Sequence, residues 1–413
     1  MRRFLLSLLL SVPVLLHAQS VIRVMDYNLL NFPQPVPAGR ADTLRKILAH
    51  HPVDLLIVEE IRSAAGAASV LTGALNVNGE DRFSAAPFVS PISAPWLDEP
   101  IAQTIYYDHD KFGLKGQTEL VTNVRDINVY TLYLRTPSLA SGDTTFLTVC
   151  ALHLKAGDTD ADANSRVAMI AVLMDHLEEL PAGRSVIVAG DMNLYTGAGP
   201  EFTSLMQPAG NIQLADPLGL EDVDWSYSSS FASIYTQSTR TTAIYDDGSG
   251  GGVDDRFDIV LTSSDLLDNG SPLHVQPGSY KALGNSGTCY NQNITSCSSS
   301  QTPYAVLRAL YYMSDHLPVV LSLVSDQQVG IPSTAHPIVP LVQLRDLGDG
   351  RFGVDAEAIR SVSVLDLLGR DIAHLDAQPG GTVEVDLPCP GTYVLSVRTA
   401  NGTAARRVCW AGQ

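Results

Sequence analysis

VIVAGDMNL, residues 186–194, is a wholly apolar, β-branched run that halts at a glycine and then presents Asp191 and Asn193 on either side of Met192. Such a run reads as a buried strand. The Gly-Asp-x-Asn at its end can turn both polar groups into one cavity, although the same four residues also make an ordinary turn. The arrangement recurs along the chain. VMDYNLL (24–30) carries Asn28 at a strand end, and DLLIVEEI (54–61) carries Glu60. YYMSDHLPVV (311–320) sets Asp315 and His316 just before a strand, RFDIVL (256–261) sets Asp258 at the head of one, and VCALHLKAG (149–157) brings His153 to the end of another. A sheet can deliver all of these to one rim. Carboxylates and side-chain amides are oxygen ligands for a hard divalent cation such as Mg2+ or Ca2+. Two histidines add the parts for activating water beside a phosphate. The set therefore implies metal-assisted phosphoester chemistry.

Each position has a physical reason. A carboxylate at the end of the apolar run 55–58 must be solvated, paired or bound to metal, which singles out Glu60. Glu59 is expected on the opposite side if the strand is regular. Asp315 and His316 supply a metal-side carboxylate and an imidazole base. A histidine base works best when a second carboxylate fixes its tautomer, and Asp258 is the expected partner. His153 can donate to a phosphate oxygen or a leaving group.

From residue 21 to about 324, strand-like runs alternate with two helical stretches, RADTLRKILAHH and NSRVAMIAVLMDHLEELP. In the second, Val167, Ile170, Ala171 and Met174 are expected on the packed face, with Pro181 ending the helix. Adjacent strands at 118–153 lack helices between them, so the expected class is α/β with layered sheets flanked by helices, not one doubly wound parallel sheet. DDGSGGG (246–252) reads as a flexible loop, and 325–337 as a proline-bearing linker. Short strands punctuated by glycine then predict a small β-sandwich over 338–413.

At 413 residues with 45% hydrophobic content, the chain has material for a large core. Residues 1–18 read as a secretory signal peptide: a basic start, a short apolar run and Ala18 at the presumed cut. Export is the expectation, with no membrane span in the mature chain. Residues 19–337 hold 17 basic and 35 acidic residues, a balance of −18. Such a field gives no help in capturing a polyanion. Of the five cysteines, Cys289 and Cys297 can close a polar loop, Cys389 and Cys409 form a second plausible pair, and Cys150 reads as a buried thiol.

Together these segments resemble the endonuclease/exonuclease/phosphatase superfamily, which includes deoxyribonuclease I, abasic-site endonucleases, bacterial sphingomyelinases and inositol-phosphate phosphatases. The resemblance spans about residues 21–324 and matches five motifs in the family's order. It implies a four-layer α/β sandwich of two facing mixed sheets, and a phosphodiesterase using Mg2+, or else Ca2+ or Mn2+. Carried over by position, Asn28, Glu60 and Asp315 resemble the metal site, and Asp191 and Asn193 the pair that orients water or phosphate. His316 with Asp258 resembles the water-activating dyad, and His153 the second catalytic histidine of the deoxyribonuclease I branch. Arg62 and Arg125 resemble that branch's phosphate-contacting arginines. Its glutamate supporting the first histidine has no clear counterpart, Asp98 and Glu99 being near but not in register. Nucleic acid is the implied substrate. The acidity motivates a phospholipid head group or small phosphoester instead, for which an exposed aromatic hairpin would speak; Trp96 and Trp225 lie in loops. A catalytically silent binding module is the third alternative. The tail from 338, with VLDLLGRDI and GTYVLSVRTANGTAARRV, resembles a C-terminal sorting domain of the type IX secretion system, which implies that machinery as a partner and an extracellular or outer-membrane destination.

Overall fold

Apolar side chains fill nearly every position of the runs 24–30, 55–61 and 185–191, and both sets of alternates are buried. A strand buried on both faces must lie between two apolar layers. The computed structural model describes residues 19–34, 39–93, 101–244, 247–298, 301–330, 342–355, 359–366, 370–376, 382–399 and 402–412. The leader at 1–18, Trp96, Asp98, Glu99, linker residues 331–337 and residues 367–369 of the tail motif lie outside the described residues. Two compact units divide between Ile331 and Pro332.

The first unit contains β1 (Ser20–Phe32), α1 (Arg40–His50), β2 (Leu55–Ile61), α2 (Ala64–Val70), β3 (Phe83–Ala85), β4 (Ala102–Asp108), β5 (Phe112–Leu120), β6 (Ile127–Leu134) and β7 (Phe146–His153). It continues with α3 (Asp160–Glu178), β8 (Ser185–Asp191), α4 (Pro200–Leu205), β9 (Leu214–Ala215), β10 (Asp258–Ser263), β11 (Leu273–Val275), β12 (Lys281–Ala282), α5 (Tyr304–Met313) and β13 (Val319–Ser325). One sheet has the order β11-β13-β1-β2-β4-β3, with β12 also on β13, and the other β5-β6-β7-β8-β10-β9. Each is built around one parallel pair, β1 with β2 and β7 with β8, flanked by antiparallel neighbours. A parallel pair needs a crossover, which α1 and α3 provide. Between the sheets, Ile22, Val24, Leu55 and Ile57 share a core with Val149, Ala151, Ile187, Ala189 and Val260. The alternate residues, among them Met25, Leu56, Leu152 and Val188, share a core with helical Leu44, Ile47, Met169 and Leu173. This is the four-layer α/β sandwich.

Two local expectations need correction. Helix α3 begins four residues before the apolar pattern suggests, because Thr159 and Asp162 form a reciprocal capping box. Its buried stripe is Arg166, Met169, Ile170, Leu173 and Leu177, so of the residues expected on that face only Ile170 is buried and Ala171 is exposed. The longer side chains, and the Arg166 ion pair with Glu201 at 3.0 Å, set the rotation of the helix. Residues 326–330, read as the start of a linker, pack on the first unit: Val329 joins the inter-sheet core and Gly330 donates to the Arg135 carbonyl.

The second unit is β14 (Gln343–Gly348), β15 (Arg351–Asp355), β16 (Ile359–Leu365), β17 (Asp371–Asp376), β18 (Thr382–Asp386), β19 (Gly391–Thr399) and β20 (Gly402–Trp410). Antiparallel sheets β14-β15-β18 and β17-β16-β19-β20 share a core that includes Val354, Val362, Val364, Val385 and Leu395. Cys289 and Cys297 are disulfide-bonded and Cys150 is buried, but Cys389 and Cys409 are not joined by a disulfide. Cys409 lies opposite Thr392 on β19, whereas Cys389 sits in the bend before that strand with its Sγ 3.1 Å from the Tyr393 hydroxyl. No described helix is long and apolar enough to cross a membrane.

Just before β10, Arg256 makes a wholly buried bidentate pair with Asp216, at 2.7 and 2.9 Å, and stacks on Trp225. This pair anchors the approach to Asp258. Replacing one partner leaves a buried charge unpaired, so Arg256→Leu should lower the unfolding free energy by about 3–5 kcal/mol. Arg256→Met combined with Asp216→Leu should recover most of that loss in urea titrations.

Candidate active site

Register brings the first three groups together. His153 ends β7 opposite Asp191 on β8, and Asp191 lies opposite Asp258 on β10. Gly190, at φ +142°, permits this crowding, because a Cβ there would sit 1.8 Å from the Leu152 carbonyl oxygen. From the other sheet, Asn28 donates to Glu60 Oε1 at 3.1 Å and to Asp191 Oδ2 at 3.2 Å. That amide bridges the two sheets.

Glu60 reaches this point by a break in its strand. A regular strand would aim it at the helix layer with Val58. Its φ of +60°, at a register shift between β2 and β4, turns it back instead, so Glu59 and Glu60 do not diverge as expected. Glu59 meets Asp26 beneath the site, and burial followed by their mutual repulsion holds the Glu59 carboxyl well above the usual range. Leu30 and Asn31 are also left-handed, at φ +44° and +52°. The Asn31 N–H donates to Glu60 Oε2 at 2.8 Å, and the Leu30 N–H to Asn28 Oδ1 at 2.9 Å. Asn28 consequently turns its amide nitrogen, not its oxygen, toward the carboxylates, which departs from the ligand role expected for it. Arg40 secures the loop from behind, donating to the carbonyls of Leu29, Leu30, Gln34 and Met313.

His316 is the best-defined group. Its Nδ1 contacts both Asp258 oxygens, at 2.8 and 3.0 Å, which places the proton on Nδ1 and leaves Nε2 as the acceptor in neutral imidazole. Nε2 lies 3.6 Å from Asp191 Oδ2. Burial works against the imidazolium, but Asp258, Asp191 and Asp315 together hold the pKa well above its usual value. His153 behaves oppositely: burial, then Arg125 and His316, push it well below. Its Nε2 is 3.3 Å from Asp191 Oδ2 and its Nδ1 3.9 Å from Glu60 Oε1. The Asp191 carboxyl is raised by burial to about 7, with His316 opposing the shift. Asn193, at φ +50°, donates to the Leu154 carbonyl at 3.2 Å.

These groups line one open cavity of about 500 Å3, together with Arg62, Arg125, Tyr195, Gln237 and Phe257. Asp258 lies behind it on His316, and Asn28 beneath it. Arg125 is anchored to the Leu154 carbonyl at 2.9 Å. The glycine loop expected to be flexible is docked here: the Ser249 N–H donates to Asp315 Oδ2 at 2.6 Å, and a Cβ at Gly248 would come within 3.1 Å of that carboxylate.

Two observations bear on a cation. Asp315 Oδ1 is buried without a hydrogen-bond partner, and Glu60 is raised by burial and then by repulsion from Asp315. A buried Asp315 and a largely buried Glu60, mutually repelling and with an oxygen to spare, fit a hard divalent ion. Among the described residues no three His, Cys, Asp or Glu groups converge as a cage, so water and substrate oxygens would complete the shell.

The sequence matches no protein-family profile and no curated protein. Solved structures are similar to it. The human Nocturnin catalytic domain with bound sulfate aligns with 17% identity over 74% of this chain and 97% of its own, at a TM-score of 0.47. D. rerio TDP2 complexed with a single-strand DNA product aligns with 17% identity over 74% and 99%, at 0.46. An endonuclease/exonuclease/phosphatase from Beutenbergia cavernae aligns with 15% identity over 94% and 99%, at 0.44.

Sequence reasoning missed Gln237, Asn31 and Arg40. Gln237 sits in SIYTQST, which carries no strand or helix pattern, so nothing marked it. Asp26 and Glu59 did carry a mark, as carboxylates inside apolar strands. Trp225, considered for a lipid-facing loop, is buried against Phe202 and Arg256.

The raised Asp191 pKa has a thermodynamic consequence. Between the unfolded carboxylate range and about 7, the folded protein binds a proton there that the unfolded chain has released, so stability falls as pH rises through that window. In EDTA, Tm should drop between pH 4 and 8. Asp191→Asn should flatten part of that drop and raise Tm at pH 8; an unchanged slope in calorimetry would place the titration elsewhere.

Proposed function

We propose that this chain is an exported, divalent-metal-dependent phosphodiesterase of the endonuclease/exonuclease/phosphatase type, acting on nucleic acid. The observation that carries the reading is the His316–Asp258 pair with Nε2 directed into a cavity that also holds two arginines and the Asp191 carboxyl. His316, its Nδ1 proton held by Asp258, accepts a proton from water at Nε2; a cation held at Glu60 and Asp315 would offset the carboxylate field that otherwise keeps the ring protonated. Arg62 and Arg125 receive the phosphate oxygens. Asp191, titrating near neutrality, orients the water or supplies a proton to the leaving oxygen. His153 is kept neutral by burial and contributes a hydrogen bond to the developing charge. Glu60 and Asp315 would hold the cation, with Asn28 and Asn31 fixing the Glu60 carboxylate. When bound, the ion neutralises charge building on the phosphate.

The acidic balance of residues 19–337 supports a second reading on the same chemistry, with a small phosphoester or a phospholipid head group as substrate. The burial of Trp225 removes one of two candidates for a membrane-facing aromatic and weakens the lipid form of it. We also propose that the leader and the C-terminal unit direct export, the latter as a type IX sorting domain. Deleting residues 338–413 should then retain the protein inside the cell envelope of a type IX-competent host, while secretion of the truncated chain would refute that role.

The deciding experiment is a panel of plasmid DNA, RNA, sphingomyelin and bis(p-nitrophenyl) phosphate with Mg2+, Ca2+, Mn2+ or EDTA. Nicking of plasmid that EDTA abolishes is the expected result; turnover of sphingomyelin alone would select the second reading. His316→Ala and Asp191→Ala should each lower kcat by about 10^2- to 10^4-fold; because the first leaves the buried Asp258 carboxylate unpaired and lowers Tm, His316→Asn, which keeps an N–H for Asp258, is measured beside it. Near-normal turnover in either would remove that residue from the chemistry.

A further inference from the structure

Gln237 has no part in the chemistry above, yet its side-chain nitrogen stands 2.6 Å from His316 Nε2 and 3.3 Å from Asp315 Oδ2. That is the ring nitrogen on which water activation depends. Asp258 occupies Nδ1, so Nε2 is the only nitrogen of His316 free to receive a proton, and the Gln237 amide fills its approach. A water handing its proton to Nε2 must lie at hydrogen-bonding distance along the same lone pair. Amide and attacking water therefore compete for one position. The competition holds whichever amide atom faces the ring, because exchanging the two would put the oxygen where the nitrogen stands, 2.6 Å from Nε2.

The backbone around Gln237 is firmly mounted. Its N–H donates to the Asp255 carbonyl at 3.1 Å, and its carbonyl accepts from the N–H groups of Asp254 and Asp255, each at 2.9 Å. On either side, the Leu317 N–H donates to the Thr236 carbonyl at 2.7 Å and the Thr239 N–H to the Asp315 carbonyl at 2.9 Å. The Cα of Gln237 is thus fixed beside the Asp315–His316 dipeptide, and movement is left to the side chain, which lines the open cavity.

We infer that Gln237 is a side-chain gate on the general base: its amide caps His316 Nε2 in the substrate-free protein and swings off when a phosphoester and its attacking water enter. The inference rests on the assignment of His316 as the base. No bond is made or broken in the gating step; one hydrogen bond is exchanged for another.

The test separates the contact from the activity. Diethyl pyrocarbonate acylates an accessible, unprotonated imidazole nitrogen, so the modified His316 peptide is followed by mass spectrometry in the full chain with EDTA over a range of pH, and rates are compared for the unprotonated ring. Gln237→Ala should acylate at His316 about tenfold faster than the wild type, with His374 of the second unit as the internal reference and Tm unchanged. Equal rates would overturn the cap. With bis(p-nitrophenyl) phosphate and Mg2+, Gln237→Ala should raise kcat/KM about two- to tenfold, the weight of one net hydrogen bond. A fall beyond tenfold would make Gln237 a participant in turnover and overturn the gate. Gln237→Glu, which keeps the reach and the backbone bonds, should acylate as slowly as the wild type; fast acylation of this variant would count against the cap. A wild type inactive on every phosphoester would defeat the assigned chemistry, while the acylation rates would still decide the contact.

Discussion

Six carboxyl groups, those of Asp26, Glu59, Glu60, Asp191, Asp258 and Asp315, crowd the end of the space between two sheets, where water has little access to solvate them. Burying charge in that way is costly unless it is paired, protonated or bound to a cation. The rest of the site follows from this constraint. Asp258 is paired with His316. Asp191 takes hydrogen bonds from Asn28 and the Asn193 N–H and titrates near neutrality. Asp26 and Glu59, beneath the site, are pushed upward by burial and by neighbouring carboxylates, Asp258 foremost for Asp26, and are best described as sharing a proton. Glu60 and Asp315 are left with unresolved repulsion, which a divalent cation would relieve.

The concentration of charge is reached by departures from regular strand geometry. Leu30, Asn31, Glu60 and Asn193 all adopt left-handed backbone angles at strand ends facing the cavity. Such angles are unfavourable for side chains with a Cβ, least so for asparagine. They persist because the surrounding bonds over-determine them: Arg40 binds four carbonyls around the first loop, and the Asn31 N–H is tied to Glu60. The local cost accompanies a functional cluster, and the large inter-sheet core supplies the stability that tolerates it.

Electrostatics at long range and at short range oppose each other here. The acidic field of residues 19–337 disfavours the approach of a polyanion, whereas Arg62 and Arg125 offer a local landing point inside the cavity. In the proposed function, catalysis would draw on the local term, and substrate selection on the balance of the two. The candidate site lies in the first unit. The second is a self-contained β-sandwich with its own valine-rich core.

Hydrophobic patterning alone determined the layered α/β class and the six strand segments that carry Asn28, Glu60, His153, Asp191, Asp258 and Asp315–His316, because apolar run length and the first polar interruption are local properties of the chain. It also singled out His316 with Asp258, since a base next to a strand calls for a carboxylate on another strand end. Tertiary structure decided what each group faces. The redirection of Glu60, the inward-turned amide of Asn28, the offset stripe of α3 and the seat of Gln237 on His316 depend on backbone angles and on contacts between residues dozens to hundreds of positions apart, and no local periodicity encodes those.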